Sequence, residues 1–235
     1  GKMGFGGYFM HSRCGLITEY LGEEWFDLIN AVTDASEEAG LEAWLYDEDR
    51  WPSGAAGGFV TSDDRFKMQK LYCSPDDVPS DGQWLVSFAI TLSGRKISSM
   101  RRITENEPIQ NGEKKFNFFS KLMPSSSWYN HAAYLDTMNP DAVKRFIEVT
   151  HAEYAKRYGE KFAKSVPAMF SDEPCYIHGD VNGCLPWTGN LCDEFQNECA
   201  MILVVAFLRT KLPLFIKNSK KSSLFYKIFV NQAYG

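Results

Sequence analysis

The sequence has no excess of basic residues. Lys and Arg number 25 against 30 Asp and Glu, which leaves a net charge of −5, and the basic residues are scattered along the chain. Binding to a phosphate backbone requires a concentrated positive field. We therefore expect no nucleic-acid partner.

Long apolar runs are also missing. The longest covers residues 201–208, which is far short of the roughly 20 residues that a membrane-spanning helix needs. No charged segment followed by an apolar one opens the chain, as it would in a secretory signal peptide. We expect no membrane partner. Because the chain begins at Gly1, just before a strand predicted at residues 4–11, we also expect the natural N-terminus to lie upstream.

Cysteine pairs with zinc-type spacing are absent. The six cysteines stand at positions 14, 73, 175, 184, 192 and 199, and none belongs to a Cys-x-x-Cys motif. Reduced thiols in a cytoplasmic protein are the preferred interpretation. The even number leaves disulfides open, and with them a secreted or periplasmic location.

Aromatic residues, in contrast, are plentiful. They make up 14% of the chain and include six Trp and eleven Tyr, within an otherwise ordinary globular composition of 44% hydrophobic and 23% charged residues. Aromatic rings pack well on the C–H faces of sugars, but they also fill protein cores. Composition alone favours core filling.

The first 46 residues alternate between strand and helix patterns. Residues 4–11 have the glycine and aromatic content of a buried strand, and residues 41–46 form a short apolar strand. Between them, residues 23–39 place apolar side chains at helical spacing, and Gly40 supplies a stop signal. The order strand, helix, strand predicts parallel pairing of the two strands.

Residues 61–115 change character, because turn pairs such as Asn111-Gly112 punctuate alternating stretches. They predict an antiparallel β insertion after the second strand. The βα order resumes with a strand at residues 116–122, a helix that Asn139 caps, and a fourth strand at residues 166–170. The tail, residues 197–235, is predicted to be irregular or helical and truncated.

These patterns predict an α/β fold, namely a partial (β/α)8 TIM barrel over residues 1–196. Three of the four predicted strands end in polar or acidic clusters, and the carboxyl ends of barrel strands meet at one mouth. A complete barrel takes roughly 250 residues, and the insertion uses about a fifth of this chain. We therefore expect the C-terminal half of the barrel to be missing.

Two acidic clusters offer the carboxyl groups that glycosidic bond cleavage requires, one as a proton donor and one in its ionised form. Glu173 lies in the sequence SDEP at residues 171–174 and is the candidate acid. Glu48 lies in the second cluster, residues 47–49. The alternatives are that the first cluster caps a helix and that the second is a solvated loop.

Mutual repulsion makes three consecutive acids costly unless cations lie nearby. Arg13, Arg50 or calcium, which prefers oxygen ligands, are the candidates for relieving it. A metal-dependent hydrolase built on Asp47, Glu48 and Asp49 is therefore a further hypothesis.

The candidates for contact with a sugar share a place at a predicted strand end or in the loop that follows. They are His11, Arg13, Tyr46, Trp51, Trp128, His131, Tyr134 and Asp172. The alternatives are a core position for His11, a surface position for Arg13, and local packing for the loop residues Trp128, His131 and Tyr134. His151 falls within a predicted helix and is interpreted as structural.

A resemblance to a known family rests on five segments within about residues 4–176. They are GGYFMHSRCGL, EYLGEEWF, EAWLYDEDRWPSGAAGG, YLDTMNPDAVKRFIEVTHAEYAKRYGE and PAMFSDEP. Together they resemble bacterial glycoside hydrolases related to the family 106 α-L-rhamnosidases. The resemblance implies a TIM barrel, an inverting mechanism in the rhamnosidase case, calcium near the site, and a plant or microbial polysaccharide as substrate.

By the same resemblance, Glu173 is the general acid and Glu48 its partner carboxylate, and Asp47 and Asp49 orient Glu48 or bind calcium. The chain departs from the family after about Cys192. A partner carboxylate on a later strand would then be absent. The alternative is therefore a non-catalytic carbohydrate-binding domain or an inactive remnant of such an enzyme.

Overall fold

The computed structural model of the chain describes residues 3–13, 15–94, 96–179 and 183–199. The chain divides into two compact units. Unit 1 consists of Gly1–Lys67 and Met123–Tyr176, and unit 2 consists of Met68–Leu122 and Ile177–Gly235. Of the predicted tail, residues 200–235 lie outside the described residues.

The helices and strands alternate irregularly along the chain. In order they are β1 (Gly7–Phe9), α1 (Glu23–Ala39), β2 (Glu42–Tyr46), β3 (Gln69–Ser74), β4 (Gln83–Ser93), β5 (Lys96–Ile103), β6 (Lys114–Leu122), α2 (Pro140–Val149), α3 (His151–Tyr158), β7 (Met169–Phe170), β8 (Cys184–Trp187) and α4 (Leu191–Cys199).

Unit 1 contains a three-stranded parallel sheet in the order β1-β2-β7. Tyr8 of β1 pairs with Ala43 of β2, and Tyr46 of β2 pairs with Phe170 of β7. The predicted parallel pairing of the first two strands is therefore present. Because all three strands run in one direction, their carboxyl ends lie at the same edge.

Helix α1 spans the residues predicted for it. Its apolar stripe buries Trp25, Phe26 and Ile29 in one core cluster with the β2 residues Ala43 and Leu45. Beyond the helix, Gly40 adopts the left-handed conformation at φ 63° and donates its N–H to the Glu37 carbonyl. This is the glycine stop that the sequence predicts.

The helix predicted after Asn139 is divided in two. The Asn139 side chain accepts the backbone N–H groups of Asp141 and Ala142, as expected of a capping residue. Helix α2 ends before Thr150, whose backbone is distorted to φ −110° and ψ −77° within the right-handed region, and α3 begins at the next residue. The division places His151 in the first turn of α3.

Unit 2 contains a five-stranded antiparallel sheet in the order β5-β4-β6-β3-β8. Strand β6 pairs with both β3 and β4, so that Phe118 lies opposite Cys73 on one side and Val86 on the other. One core cluster of this unit includes the buried side chains of Leu71, Val86, Phe88, Ile90, Phe118 and Trp187.

The prediction of a partial (β/α)8 barrel is wrong. Residues 116–122, predicted as its third strand, lie in β6 and pair antiparallel, so the antiparallel region continues to Leu122. The predicted fourth strand is reduced to Met169–Phe170. Short turns between the alternating segments favour hairpin pairing, because a parallel crossover needs a dozen or so connecting residues.

No helix within the described ranges is long and apolar enough to cross a membrane.

Two glycines at helix ends test whether the left-handed conformation of Gly40 requires glycine. Gly40→Ala should lower the free energy of unfolding by about 1–2 kcal/mol, because a Cβ disfavours the left-handed region. Gly159 has φ −54° and open space around the position of a Cβ. Gly159→Ala should therefore raise stability by about 0.4–1 kcal/mol. Urea unfolding of both variants measures the contrast, and equal effects would contradict it.

Candidate active site

Polar residues follow the carboxyl end of each of the three parallel strands of unit 1. His11 and Ser12 follow β1, residues 47–49 follow β2, and residues 171–174 follow β7. Parallel pairing gathers these segments at one edge of the sheet.

Glu48 is enclosed by backbone N–H groups. Its Oε1 accepts from Asp49 at 2.8 Å and Gly57 at 2.9 Å, and its Oε2 accepts from Gly54 and Ala56, both at 2.8 Å. Burial raises the pKa of Glu48 to about 7, and the four donors act in the opposite direction. With 1% of its surface exposed, the residue offers no free oxygen to a substrate.

Asp47 is fully buried and has two side-chain partners. Ser53 Oγ donates to its Oδ1 at 2.5 Å, and Nε2 of His151 lies 2.9 Å from its Oδ2. His151 comes from α3, 104 positions further along the chain. Neither partner was assigned to the site from the sequence, although Ser53 lies directly beside the acidic cluster.

Asp49 is paired with the neighbouring arginine. Its Oδ2 lies 3.4 Å from Arg50 Nε, and burial raises the pKa of the carboxyl while the guanidinium lowers it. Ser12 Oγ lies 2.7 Å from the Glu48 carbonyl and 2.9 Å from the Asp49 carbonyl. Of the two predicted arginine partners, Arg50 therefore contacts the cluster, whereas Arg13 is exposed.

Calcium has no suitable ligand set in this cluster. Both oxygens of Asp47 and of Glu48 have partners, and Asp49 faces Arg50. A calcium ion takes about six to eight oxygen ligands. Across the part of the chain that the structure describes, no group of three or more His, Cys, Asp or Glu could hold a metal. The side chains as arranged do not fit calcium, which stays an expectation from the resemblance.

Ser53 connects the buried cluster to the turn after β7. Its N–H donates to the Asp172 carbonyl, and its Oγ accepts the Asp172 N–H, both at 2.9 Å. Tyr134 donates to the Ser53 carbonyl at 2.7 Å and accepts the Cys175 N–H at 3.2 Å. Tyr134 was a candidate for sugar contact, but it is fully buried and supports the backbone of the site.

Asp172 lies among polar aromatic side chains. Tyr46 donates to its Oδ2 at 3.3 Å, and His11 Nε2 lies 3.7 Å from the same oxygen. The His11 ring stacks on Tyr46 with centroids 3.5 Å apart. Burial raises the pKa of Tyr46 well above its usual range, so the hydroxyl remains a donor. The carboxylate thus has one bonded partner and one close neighbour.

The tautomer of His11 follows from its contacts. Nδ1 is within hydrogen-bond distance of the Ser12 carbonyl, which accepts only from a protonated nitrogen. Nε2 is buried and without a hydrogen-bond partner. Burial lowers the pKa of His11, the Ser12 carbonyl and Asp172 raise it, and Arg13 lowers it further. In its neutral form, His11 therefore presents a bare Nε2 beside Asp172.

Glu173 has a different environment from the buried acids. It is exposed, its backbone adopts φ 46°, and its Oε2 accepts the indole N–H of Trp51 at 3.2 Å. Trp128 donates its own indole N–H to the Trp51 carbonyl at 2.7 Å, and the two rings lie edge to face, 6.1 Å apart. A positive φ is unfavourable for a residue with a Cβ and often occurs at functional sites.

The remaining candidate from the sequence is His131. It is exposed in the loop after β6, with φ 66°, and its backbone N–H donates to the Ser126 carbonyl. The structure therefore brings together His11, Tyr46, Trp51, Trp128, Asp172 and Glu173, and it leaves Arg13 and His131 on the surface.

Comparison of the chain with family models, curated proteins and solved structures gives no match.

The four backbone hydrogen bonds to Glu48 predict that its substitution lowers the stability of the fold strongly. In Glu48→Gln an amide NH₂ replaces one oxygen and meets two backbone N–H donors, so the free energy of unfolding should fall by about 2–4 kcal/mol. Glu173→Gln, which keeps an acceptor at the surface, should change it by less than about 0.5 kcal/mol. Urea unfolding at pH 8 compares the two variants. Similar losses in the free energy of unfolding would contradict the stabilising role of the hydrogen bonds to Glu48.

The charges around His11 predict opposite shifts of its pKa. Asp172→Asn removes a negative charge that stabilises the imidazolium, so the pKa of His11 should fall further. Arg13→Gln removes a positive charge and should raise it. NMR titration of the His11 ring protons measures both shifts. Shifts in the same direction would show that another group controls the ring.

Proposed function

We propose that unit 1 binds a carbohydrate at the carboxyl ends of β1, β2 and β7 and hydrolyses a glycosidic bond there. Glu173 is the general acid and Asp172 the second carboxylate. The observation that carries the proposal is the pairing of the exposed Glu173 carboxylate with the indole N–H of Trp51 at 3.2 Å. An acid and an aromatic platform thus share one surface.

The two tryptophans supply the apolar part of the sugar site. Trp51 is partly exposed, and Trp128 is 49% exposed and fixed by its bond to the Trp51 carbonyl. A sugar ring presents C–H groups that pack on an aromatic face, while its hydroxyls bind polar neighbours. Ring stacking beside Glu173 brings a glycosidic oxygen within reach of the carboxyl.

The two carboxylates have different neighbours, as acid and base roles require. Glu173 in its protonated form donates a proton to the leaving oxygen as the glycosidic bond breaks. Asp172, ionised, takes a proton from the water whose oxygen bonds to the anomeric carbon. The Tyr46 hydroxyl donates to Asp172 and orients its carboxylate.

A second candidate function is carbohydrate binding without hydrolysis. The enclosure of Glu48 favours it, because the carboxylate that the resemblance pairs with Glu173 already accepts four backbone N–H groups. Under this alternative the tryptophans bind sugar and no bond is cleaved. The two functions differ in turnover and agree in binding.

Aryl glycosides test the hydrolytic proposal, beginning with the α-L-rhamnoside that the resemblance favours. We expect the 235-residue chain to release the aryl group. Glu173→Gln should lower kcat by about 10²–10⁴-fold, because the amide still accepts from Trp51 but carries no transferable proton. The change in absorbance of the released phenol measures the rate.

Glu24→Gln is the matched control, since Glu24 is exposed in the first turn of α1. It should retain full activity. Equal activity of the wild-type chain and Glu173→Gln would overturn the role of Glu173. Sugar binding measured by calorimetry, without turnover of any glycoside, would establish the second candidate instead.

A further inference from the structure

His151 connects α3 to the buried acids. Its Nε2 lies 2.9 Å from Asp47 Oδ2, and its ring packs edge to face against Phe146 with centroids 5.6 Å apart. The side chain is 39% exposed, whereas Asp47 is fully buried. One edge of the imidazole therefore faces solvent and the other faces a carboxylate inside unit 1.

Asp47 extends this contact to Ser53. The second oxygen of Asp47 accepts the Ser53 hydroxyl at 2.5 Å, which directs the hydroxyl proton inward. The lone pairs of Ser53 Oγ are then left for the Asp172 N–H, which donates to it at 2.9 Å. Three hydrogen bonds thus run from α3 to the turn at residues 171–174.

This series of hydrogen bonds ends at the backbone of the proposed catalytic residues. The Asp172 N–H is bonded through Ser53 Oγ, and its carbonyl accepts the Ser53 N–H. The two bonds fix the two peptide groups that flank Asp172. They therefore also determine the direction in which the Glu173 side chain leaves the turn. The unfavourable φ of Glu173 makes the turn depend on such external contacts.

We propose that His151 is a positioning residue that acts through Asp47 and Ser53 to hold Asp172 and Glu173 in place. The proposal rests on the proposed function for its effect on turnover, but its structural part does not. A buried carboxylate that loses one partner is destabilised, unless another donor or a water molecule replaces that partner. Loss of the imidazole therefore changes how Asp47 binds Ser53, and Ser53 passes the change to the turn.

The experiment compares two substitutions of His151. Gln can place an amide N–H where Nε2 lies, and Ala removes the donor. Two signals report the turn without any sugar: the Asp172 backbone amide and the Trp51 indole N–H, which is bonded to Glu173. In ¹⁵N–¹H spectra, His151→Ala should shift both signals. His151→Gln should leave them near their wild-type positions.

Lys156→Gln is the matched control, because Lys156 is exposed on the same helix. It removes a cation from α3 without touching Asp47, and both signals should stay unchanged. Ser53→Ala is the second variant, in case the His151→Ala chain does not fold. It removes the hydroxyl that joins Asp47 to the Asp172 N–H, so the same signals should shift.

Turnover supplies a separate measurement. With an aryl glycoside, His151→Ala should lower kcat about tenfold or more, since small displacements of catalytic groups are costly, and should leave KM within about twofold. Added imidazole should restore part of kcat, because the vacated ring site opens to solvent. His151→Gln should retain most of the wild-type kcat.

Unchanged turn signals in His151→Ala, or shifts in His151→Gln or Lys156→Gln as large as those in His151→Ala, would overturn the positioning role. If the wild-type chain cleaves no glycoside but the signals behave as expected, the hydrolytic proposal fails and the connection stands. If turnover responds to Glu173→Gln but neither turnover nor the signals respond to His151→Ala, the hydrolytic proposal stands and the positioning role of His151 fails.

Discussion

Three consecutive carboxylates, Asp47, Glu48 and Asp49, are buried at the carboxyl end of β2. Removing an ionised carboxylate from water costs several kcal/mol unless hydrogen bonds or an opposite charge replace the lost solvent. Each acid meets this requirement differently: Asp47 through Ser53 and His151, Glu48 through backbone N–H groups, and Asp49 through Arg50. Much of the local structure of unit 1 follows from these three solutions.

The path of the loop after β2 is one such consequence. To bring the N–H groups of Gly54, Ala56 and Gly57 onto one carboxylate, the chain must fold back over Glu48. A Cβ at Gly57 would approach the Tyr20 ring to 2.9 Å, so the close wrap requires glycine there. The same loop carries Trp51 to the surface, beside Glu173. The loop that encloses Glu48 thus also determines where Trp51 lies.

The sequence predicted the features that depend on neighbouring residues: helix α1 with its Gly40 stop, the Asn139 cap, and the parallel pairing of β1 with β2. The sequence did not predict the features that depend on contacts between distant segments of the chain. The strand at residues 116–122 has an apolar pattern that suits either a barrel or an antiparallel sheet, and only its partners β3 and β4 distinguish them. The enclosure of Glu48 depends on backbone direction, and the contact of Asp47 with His151 spans 104 positions. No local side-chain pattern records either.

An acid in a conspicuous motif is therefore not automatically the reactive one. To exchange a proton with a substrate, Glu48 would have to give up backbone hydrogen bonds that hold its loop, and each donor left without a partner costs about 1–3 kcal/mol. Glu173 accepts a single indole N–H and is exposed, so a change in its protonation disturbs one surface contact. The same argument separates Asp47 from Asp172, which has one bonded partner and a bare imidazole nitrogen nearby. The buried acids shape the edge of the sheet, and Asp172 and Glu173 lie on the turn that Ser53 joins to those acids.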